Sequence, residues 1–337
     1  MRRIALPAVC SFLALAFVGC APQAMLLVTQ YPDGSPRVAE MEKAIRNEFK
    51  GENVPYRFVV HNMNSVAHPG EAWRNALADV TVVHMRALKP GVVLVAGDDA
   101  ACYFAQRMLG SHYRFVFFDV KGNPADYQLN ASSDITGVKA DVPVRKAFAL
   151  MKELSPSARG VGVLADNSLE GNAVVRKIEE TPDLPIRVVA VKRAGNVQEW
   201  MDAVRDLQDK ADVLCIASYS SVLADPKGNT AVPAAELLRM TSQVNRRPDF
   251  SFWKEAVGPE GVMAAVTVPV SEEAAIAARM AIRILYYHSG RGEIPIAPCD
   301  KTALVTSAER AAQLGIKKLP EKPAPESKAP PEPPEKK

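Results

Sequence analysis

Short apolar runs rich in β-branched residues alternate with longer stretches of helical periodicity between Met25 and Ile316. Runs such as Val92–Ala96 predict strands that are covered on both faces, because such strands are apolar throughout. This alternation is typical of α/β layers built on parallel sheets. The predicted strands are Met25–Thr29, Tyr56–His61, Val92–Ala96, Phe115–Asp119, Gly160–Ala165, Ile186–Val191, Val213–Ala217 and Val262–Val268.

The helices between these strands are supported by start and stop signals. Asn196 is placed to cap the helix that begins near Val197, and Pro90 and Gly91 end the one before them. The predicted helices are Val38–Phe49, Glu71–Leu88, Asp99–Leu109, Val144–Leu154, Glu170–Glu180, Val197–Gln208, Pro233–Val244 and Glu272–His288.

The number of strands raises the question of one sheet or two. Eight strands fit a single large sheet, but a chain of this length with 48% hydrophobic residues favours two domains. The polar run Ser132–Gly137 precedes a second set of α/β repeats, and Asn245–Asp249 is a second weak point. We expect the segments after Val266 to pack back on the first lobe.

The N-terminus has the pattern of an export signal. Arg2 and Arg3 precede the apolar run Ile4–Val18, which is too short to span a bilayer as a helix, and Gly19-Cys20 follows. Phe17–Cys20 resembles the bacterial lipobox, in which the cysteine is acylated and becomes the new N-terminus. We therefore expect residues 1–19 to be a signal peptide and Cys20 to carry lipid, for example palmitate. An ordinary secretory signal is the alternative.

Charge and cysteine content argue against nucleic acid binding, disulfide pairing and metal binding. The formal charge falls from +3 to +1 when Arg2 and Arg3 are removed, and the mixed charges give no indication of nucleic acid binding. Cys102, Cys215 and Cys299 have neither paired nor metal-type spacing. Residues 319–337 are rich in Pro, Glu and Lys, and we expect a disordered tail, with a partner-binding role as the alternative.

Several segments, in this order and spacing, resemble the ABC-transporter substrate-binding protein family of type I periplasmic binding folds. The similar segments begin with Val93–Gly97, Phe115–Val120 and Asp134–Val138, and the helix and strand of Ala147–Leu164 resemble the opening of the family's second lobe. The remaining similar segments are Gly261–Ala265, Ala277–Leu285 and Ala308–Ile316.

The resemblance implies an α/β fold of two Rossmann-like lobes with parallel sheets, joined by a multi-strand hinge. Residues 20–133 with 267–318 are expected to form the N-terminal lobe and residues 134–266 the C-terminal lobe. Some relatives are similar to tryptophan- or tyrosine-binding proteins. The loops Gly97–Asp99 and Asp119–Pro124 depart from the family's Gly-Thr and Asp-Pro patterns, which indicates a divergent pocket.

Ligands of open parallel sheets bind beyond the carboxyl ends of the strands, so the residues that follow each strand are the candidates. The first lobe contributes Gln30, Tyr31, Asp98, Asp99, Asp119 and Lys121. The second lobe contributes Asp166, Asn167, Ser168, Ser218, Tyr219, Ser220 and Ser221. Phe250–Trp253 is a candidate aromatic wall, with Phe252 and Trp253 as its ligand contacts.

These residue types suit a small zwitterion with an aromatic or apolar body. Asp98, Asp99 or Asp119 would pair with an ammonium group, while hydroxyl and amide donors would bind a carboxylate. Tyr31, Tyr219, Phe252 or Trp253 would stack on the apolar body. The alternatives are that Asp98 or Asp99 caps a helix, that Asp166 starts a turn, and that Phe252 and Trp253 are lobe-interface core.

The expected function is therefore capture of a small molecule and its delivery to an ABC permease, or to a sensor, in the inner membrane. We expect no cofactor, no metal and no catalytic residue, since the sequence has no HExxH motif, no Gly-x-Ser-x-Gly elbow and no phosphate loop. The alternatives are a structural or sensory envelope lipoprotein and an enzyme on the same fold. The expected location is the cell envelope, lipid-anchored and facing the periplasm or the exterior, and Ala21 favours the outer membrane.

Overall fold

The computed structural model describes residues 23–287, 289 and 292–320 of the chain. The expected signal peptide, Cys20, His288 and residues 321–337 of the expected tail lie outside this part. No helix within these described ranges is both long and apolar enough to cross a membrane.

The described chain forms two six-stranded sheets. The first sheet has the order β11-β5-β4-β3-β1-β2 and is parallel throughout. Its strands are β1 (Ala24–Thr29), β2 (Arg57–Asn62), β3 (Val92–Ala96), β4 (Phe115–Phe118), β5 (Ile135–Lys139) and β11 (Ala297–Pro298).

The second sheet has the order β12-β10-β9-β8-β6-β7, and only β12 is antiparallel to its neighbour. Its strands are β6 (Gly160–Asp166), β7 (Arg187–Ala194), β8 (Val213–Ile216), β9 (Asp249–Ser251), β10 (Ala264–Thr267) and β12 (Ala303–Thr306).

Helices cover both faces of each sheet. They are α1 (Pro36–Gly51), α2 (Glu71–Leu88), α3 (Val144–Leu154), α4 (Leu169–Glu180), α5 (Val197–Lys210), α6 (Ala234–Val244), α7 (Val270–Leu285) and α8 (Ala308–Gln313). The helix predicted for Asp99–Leu109 is a π-helix, Ala100–Ala105, followed by a 3-10 turn, Gln106–Met108. Asn196 caps α5 as predicted, since its side chain accepts a hydrogen bond from the Glu199 N–H at 3.0 Å.

Alternate residues of the first sheet enter two separate cores. Leu27 and Leu94 pack with α1 and α7, whereas Leu26 and Val93 pack with α2 and the π-helix. Both faces of β1 and β3 are therefore buried. Because both faces are buried, these strands are almost entirely apolar and their sequences show no two-residue alternation. The second lobe has one continuous core that includes Phe148 and Trp200. The expectation of two Rossmann-like lobes is confirmed.

The chain crosses between the lobes three times, after β5, after β10 and after β11. Two segments lie in the lobe opposite to the one we expected. β5 (Ile135–Lys139) completes the first sheet rather than opening the second lobe, and β12 with α8 belongs to the second lobe rather than the first. Asn245–Asp249 lies inside the second lobe, where Asp249 starts β9.

Candidate functional site

A cavity of about 540 Å³ lies between the two lobes, at the carboxyl ends of their strands. This volume falls within the roughly 300–1,000 Å³ usual for small-molecule sites. We call it the interlobe cavity. Its first-lobe lining is Tyr31, Pro32, Ser35, Pro36, Arg37, Val66 and Ala67, and its second-lobe lining is Glu170, Tyr219, Ser220, Thr230–Ala235, Leu238, Trp253 and Glu255.

Three aromatic side chains line this cavity from both sides. Tyr31 follows β1 and donates its hydroxyl proton to Asp119 at 2.9 Å. Trp253 follows β9, and its indole N–H donates to the carbonyl of Ala217 at 2.8 Å, which fixes the ring. Tyr219 follows β8, and burial raises the pKa of its hydroxyl. Phe252 does not line the cavity: it packs edge-on against Phe250 within the second-lobe core.

Arg37, in the first turn of α1, joins the two lobes. Its Nε and Nη2 donate to Asp119 at 3.0 and 2.6 Å, and its Nη1 reaches Glu255 of the second lobe at 3.2 Å. The guanidinium also lies 5.4 Å from the ring centroid of Trp253 and 5.7 Å from that of Tyr31. The side chain is only 7% exposed, so these partners together replace its hydration.

Asp119 sits at the centre of this buried network. Its backbone adopts the left-handed conformation (φ 56°), and its N–H donates to Glu273 on α7 at 2.9 Å. Lys121 bridges the carboxylates of Asp119 and Glu273, each at 3.0 Å. Burial raises the pKa of Asp119, but Arg37 and Lys121 outweigh it and hold that pKa well below its usual range. Asp119 is therefore ionised and already paired within its own lobe.

Asp98 and Asp99 are also engaged within the first lobe. Asp98 accepts the N–H groups of Lys121 and Gly122 and the hydroxyl of Tyr127, at 2.7–3.0 Å, so it shapes the loop after β4. Burial raises its pKa to about 6 against these donors. Asp99 pairs with Arg74 at 2.9 Å and gives the π-helix no side-chain cap. Neither carboxylate lines the interlobe cavity.

Asp166 organises the loop that follows β6. Its carboxylate accepts the hydroxyl and N–H of Ser168, the hydroxyl of Ser218 and the N–H of Ser221. The Ser168 hydroxyl accepts the Gly171 N–H at 2.8 Å and caps α4. Asn167 is exposed. The structure thus gathers these serines around Asp166, and only Ser220 of the predicted polar set lines the interlobe cavity.

Gln30 and Glu170 meet across the cavity wall. The Gln30 amide oxygen accepts the Asp99 N–H at 2.8 Å, and its Nε2 donates to the Glu170 carboxylate at 3.4 Å. Gly97 leaves room for this side chain, because a Cβ there would lie 2.3 Å from the Gln30 Cδ. Burial and repulsion from Asp98 and Asp119 raise the pKa of Glu170 well above its usual range, with Arg37 opposing them.

A strap from the second lobe covers one side of the cavity. The segment 223–231 folds back on itself through a bridge between Leu223 and Ala231. The Ala231 N–H donates to the carbonyl of Ala67 in the first lobe at 2.9 Å, and His68 contacts the carbonyl of Asn229 at 3.3 Å. The two lobes are therefore in contact around the cavity, in a closed arrangement.

Three charged residues of the cavity were not among the predicted site residues. Arg37 and Glu170 lie in the first turn of the helix that follows a strand, and Glu255 lies in a 3-10 turn after β9. Our prediction considered only the residues directly after each strand. The available signal was position, since the first turn of a helix after a parallel strand faces the same edge of the sheet.

A family model for ABC transporter substrate binding proteins matches residues 126–322, which is more than half of the chain. The chain therefore belongs to this family of solute-binding proteins, whose members bind small molecules and deliver them to ABC permeases. The expected type I periplasmic binding fold is confirmed by the structures described next.

Three solved structures show the similarity in fold. The ABC domain in complex with L-Trp from Streptococcus pneumonia is 16% identical, with a TM-score of 0.71 over 89% of this chain and 96% of that one. A ligand-free, open substrate binding protein with adhesive properties from Clostridium difficile is 17% identical, with a TM-score of 0.61 over 88% and 96%. A periplasmic solute binding protein from Actinobacillus succinogenes with bound D-allose is 13% identical, with a TM-score of 0.55 over 86% and 99%. A search of curated proteins gives no match.

Proposed function

We propose that this protein captures a small molecule with an aromatic or apolar body, an aromatic amino acid being the favoured class, and delivers it to an ABC importer. The observation that carries this proposal is the interlobe cavity, whose lining combines Tyr31 of the first lobe with Tyr219 and Trp253 of the second. Aromatic rings on both walls favour a flat apolar body, because burial and offset stacking both stabilise it.

Donors for a carboxylate lie in the same cavity. The hydroxyl-bearing Ser220 lines it, and so do Ala234 and Ala235 at the start of α6. The first N–H groups of a helix have no intrahelical partner and favour an anion. These groups support a zwitterionic ligand, and the L-Trp bound by the streptococcal protein supports the same class.

Binding by this arrangement needs no covalent step. Because both lobes contribute lining residues, a ligand stabilises the closed form through contacts that the open form lacks. We therefore propose a receptor rather than an enzyme, with the closed form as the state presented to the permease.

We also propose that the protein is exported and anchored by lipid on Cys20, with the lobes outside the cytoplasm. The support is the order of Arg2-Arg3, the apolar run and Gly19-Cys20. Several acyl chains would anchor the protein stably, whereas one alone binds a membrane only weakly. Ala21 supports the outer membrane as the site of anchoring. Mass spectrometry of the N-terminal peptide tests this: an unmodified Cys20 would contradict it.

A structural or sensory lipoprotein that feeds no transporter is the second candidate. It is favoured by the ion pairs that the two lobes form directly with each other, between Arg37 and Glu255 and between Lys254 and Glu40. If these contacts alone kept the lobes closed, closure would carry no information about a solute.

Calorimetric melting of the full chain in detergent, screened against amino acids, peptides, nucleosides, sugars and organic acids, separates the two candidates. A ligand at about 100 times its Kd stabilises the folded state by about 2.7 kcal/mol, which raises Tm measurably. We expect aromatic amino acids to raise it, and Tyr219→Ala to abolish the increase. The control is Tyr287→Ala, an exposed tyrosine outside the cavity. No increase from any class would favour the structural or sensory candidate.

A further inference from the structure

Glu170 differs from the other acidic side chains between the lobes. Its only hydrogen-bond partner within the described ranges is the neutral amide of Gln30, at the long distance of 3.4 Å. No cationic side chain of the described chain forms an ion pair with it. Glu170 nevertheless lines the interlobe cavity, where it is half-buried.

The neighbouring carboxylates all have cations or several donors. Asp119 has Arg37 and Lys121, Glu273 has Lys121, Glu255 has Arg37, Asp99 has Arg74, and Asp98 and Asp166 each accept three or more hydrogen bonds. Among the described residues that line the cavity, the carboxylates of Glu170 and Glu255 outnumber the guanidinium of Arg37, so the lining carries an excess of negative charge. Such a surface attracts cations and disfavours anions.

We propose that Glu170 binds the ammonium group of the ligand, so that the cavity selects primary amines with an apolar body. This inference rests on the proposed function and adds to it which ligand charge is recognised. An ammonium group between the Glu170 carboxylate and the tyrosine rings would gain a charge-assisted hydrogen bond and cation–π contacts. Tyr31 and Tyr219 both line the cavity with Glu170 and are available for those contacts.

Contacts within the protein fix the position of Glu170. It lies in the first turn of α4, which Ser168 caps through the Gly171 N–H. Gln30 holds it from the other lobe, and Gln30 is itself fixed by the Asp99 N–H and by the absence of a side chain at Gly97. A glutamate in the first turn is favoured by the helix dipole, but the dipole does not require the carboxylate to face a cavity.

Asp119 is one of the three carboxylates that the sequence offers for this role. In the structure the Arg37 guanidinium and the Lys121 ammonium occupy both of its oxygens. A ligand ammonium would have to displace a buried ion pair to reach Asp119, whereas it needs to displace only one long amide contact to reach Glu170.

Three probes with the same indole body test the inference: L-tryptophan, tryptamine, which lacks the carboxylate, and indole-3-propionate, which lacks the ammonium. Binding to the full chain in detergent is measured by calorimetric titration. We expect both amines to bind and indole-3-propionate not to bind. Glu170→Gln is expected to weaken tryptamine binding roughly ten- to hundred-fold, because the bond lost is to a charged group. Glu179→Gln, an exposed glutamate on the same helix, is the control and should bind like the wild type.

The outcomes separate this inference from the proposed function. Equal tryptamine affinity in wild type and Glu170→Gln would overturn the role of Glu170 and leave the proposed aromatic ligand class intact. Preference for indole-3-propionate over tryptamine would show that the ammonium group is dispensable for binding, and would also overturn the inference. Binding of none of the three probes to the wild type would overturn the aromatic ligand class and this inference with it. The melting temperature of Glu170→Gln without ligand confirms that the variant is folded.

Discussion

The guanidinium of Arg37 donates from two nitrogen atoms to the two carboxylate oxygens of Asp119, at 2.6 and 3.0 Å, with both side chains almost fully buried. The third nitrogen, Nη1, extends to Glu255 in the other lobe. One side chain therefore serves both the stability of the first lobe and the contact between lobes. Arg37 also lines the cavity, so its charge, paired with that of Asp119, contributes to the net charge that a ligand encounters there.

Arg37→Met is expected to destabilise the protein strongly. It leaves Asp119 buried with Lys121 as its remaining cationic partner, and removal of one member of a buried pair costs about 3–5 kcal/mol. Urea unfolding at pH 7 measures the loss. Lys43→Met, an exposed cation on the same helix, is the control and should change the free energy of unfolding by less than about 0.5 kcal/mol. Equal effects of the two variants would show that the Asp119 pair contributes nothing.

Lys254→Gln is expected to shift the equilibrium between the closed and open forms toward the open form, without changing any residue that lines the cavity. Lys254 of the second lobe pairs with Glu40 on α1, and both side chains are partly exposed. Such pairs contribute at most about 1 kcal/mol, so the apparent ligand affinity should fall no more than about five-fold. Small-angle scattering of the ligand-free variant should show a larger radius of gyration. Arg205→Gln breaks a pair within α5 and should change neither quantity. An unchanged radius for Lys254→Gln would show that this pair does not hold the lobes together.

The variant Glu170→Gln is expected to have a higher free energy of unfolding than the wild type in the absence of ligand, and this difference should grow as pH rises. Burial, together with repulsion from Asp98, Asp119 and Asp166, raises the pKa of Glu170 above its usual 4.5, although Arg37 opposes this. The folded state then holds the proton more tightly than the unfolded state does. The wild type therefore loses stability as pH rises from 4.5 through the raised pKa, and the variant does not.

The measurement for this prediction is the free energy of unfolding between pH 4.5 and 8 for wild type, Glu170→Gln and the control Glu179→Gln. The stability advantage of Glu170→Gln should grow with pH, and the control should follow the wild type. A constant difference across this range would contradict the raised pKa. Amine affinity of the wild type should rise over the same range, since the ionised carboxylate is the binding form.

Gly97→Ala is expected to weaken ligand binding through Gln30. Gly97 has φ +98°, and an added Cβ would lie 2.3 Å from the Gln30 Cδ, so the amide that contacts Glu170 must move. Gly110→Ala is a matched control, because Gly110 also has positive φ (+74°) but no atom within 4 Å of the added Cβ. Both should lose about 1–2 kcal/mol of stability from the backbone, and only Gly97→Ala should lose affinity in calorimetric titration. Equal affinities would show that Gln30 does not position the site.

The fold was predictable from sequence because several central strands, β1, β3, β4, β8 and β10, are almost entirely apolar and are buried at every position. Val92–Ala96 is an example in which every residue is buried. β5 was missed because its sequence, Ile135–Lys139, contains Thr136 and Gly137, which suggest a turn. Gly137 is required there since a Cβ would lie 2.4 Å from the Phe117 carbonyl oxygen. The strand forms there because of its packing against the neighbouring strand β4, which the local sequence does not show.

The site was predictable only in part. Tyr31, Tyr219 and Trp253 lie two or three residues after the ends of β1, β8 and β9, and they line the cavity as the rule for parallel sheets requires. The partners of Arg37 lie 82 and 218 residues away along the chain, so the fold and not the local sequence sets its pairing with Asp119 inside the first lobe and with Glu255 across the lobes. A sequence shows which carboxylates are near a strand end but not which of them already have a cation. That distinction separates Asp119 from Glu170.

The threefold crossing of the chain bears on how the protein is made. The first lobe lacks α7 and β11 until residues 270–298 have been synthesised, and the second lobe lacks β12 and α8 until residues 303–313 follow. Domains built from one continuous segment fold during translation as they emerge from the ribosome. Here neither lobe is complete until nearly the whole described chain is available, so each lobe finishes folding only after the C-terminal segment has joined it.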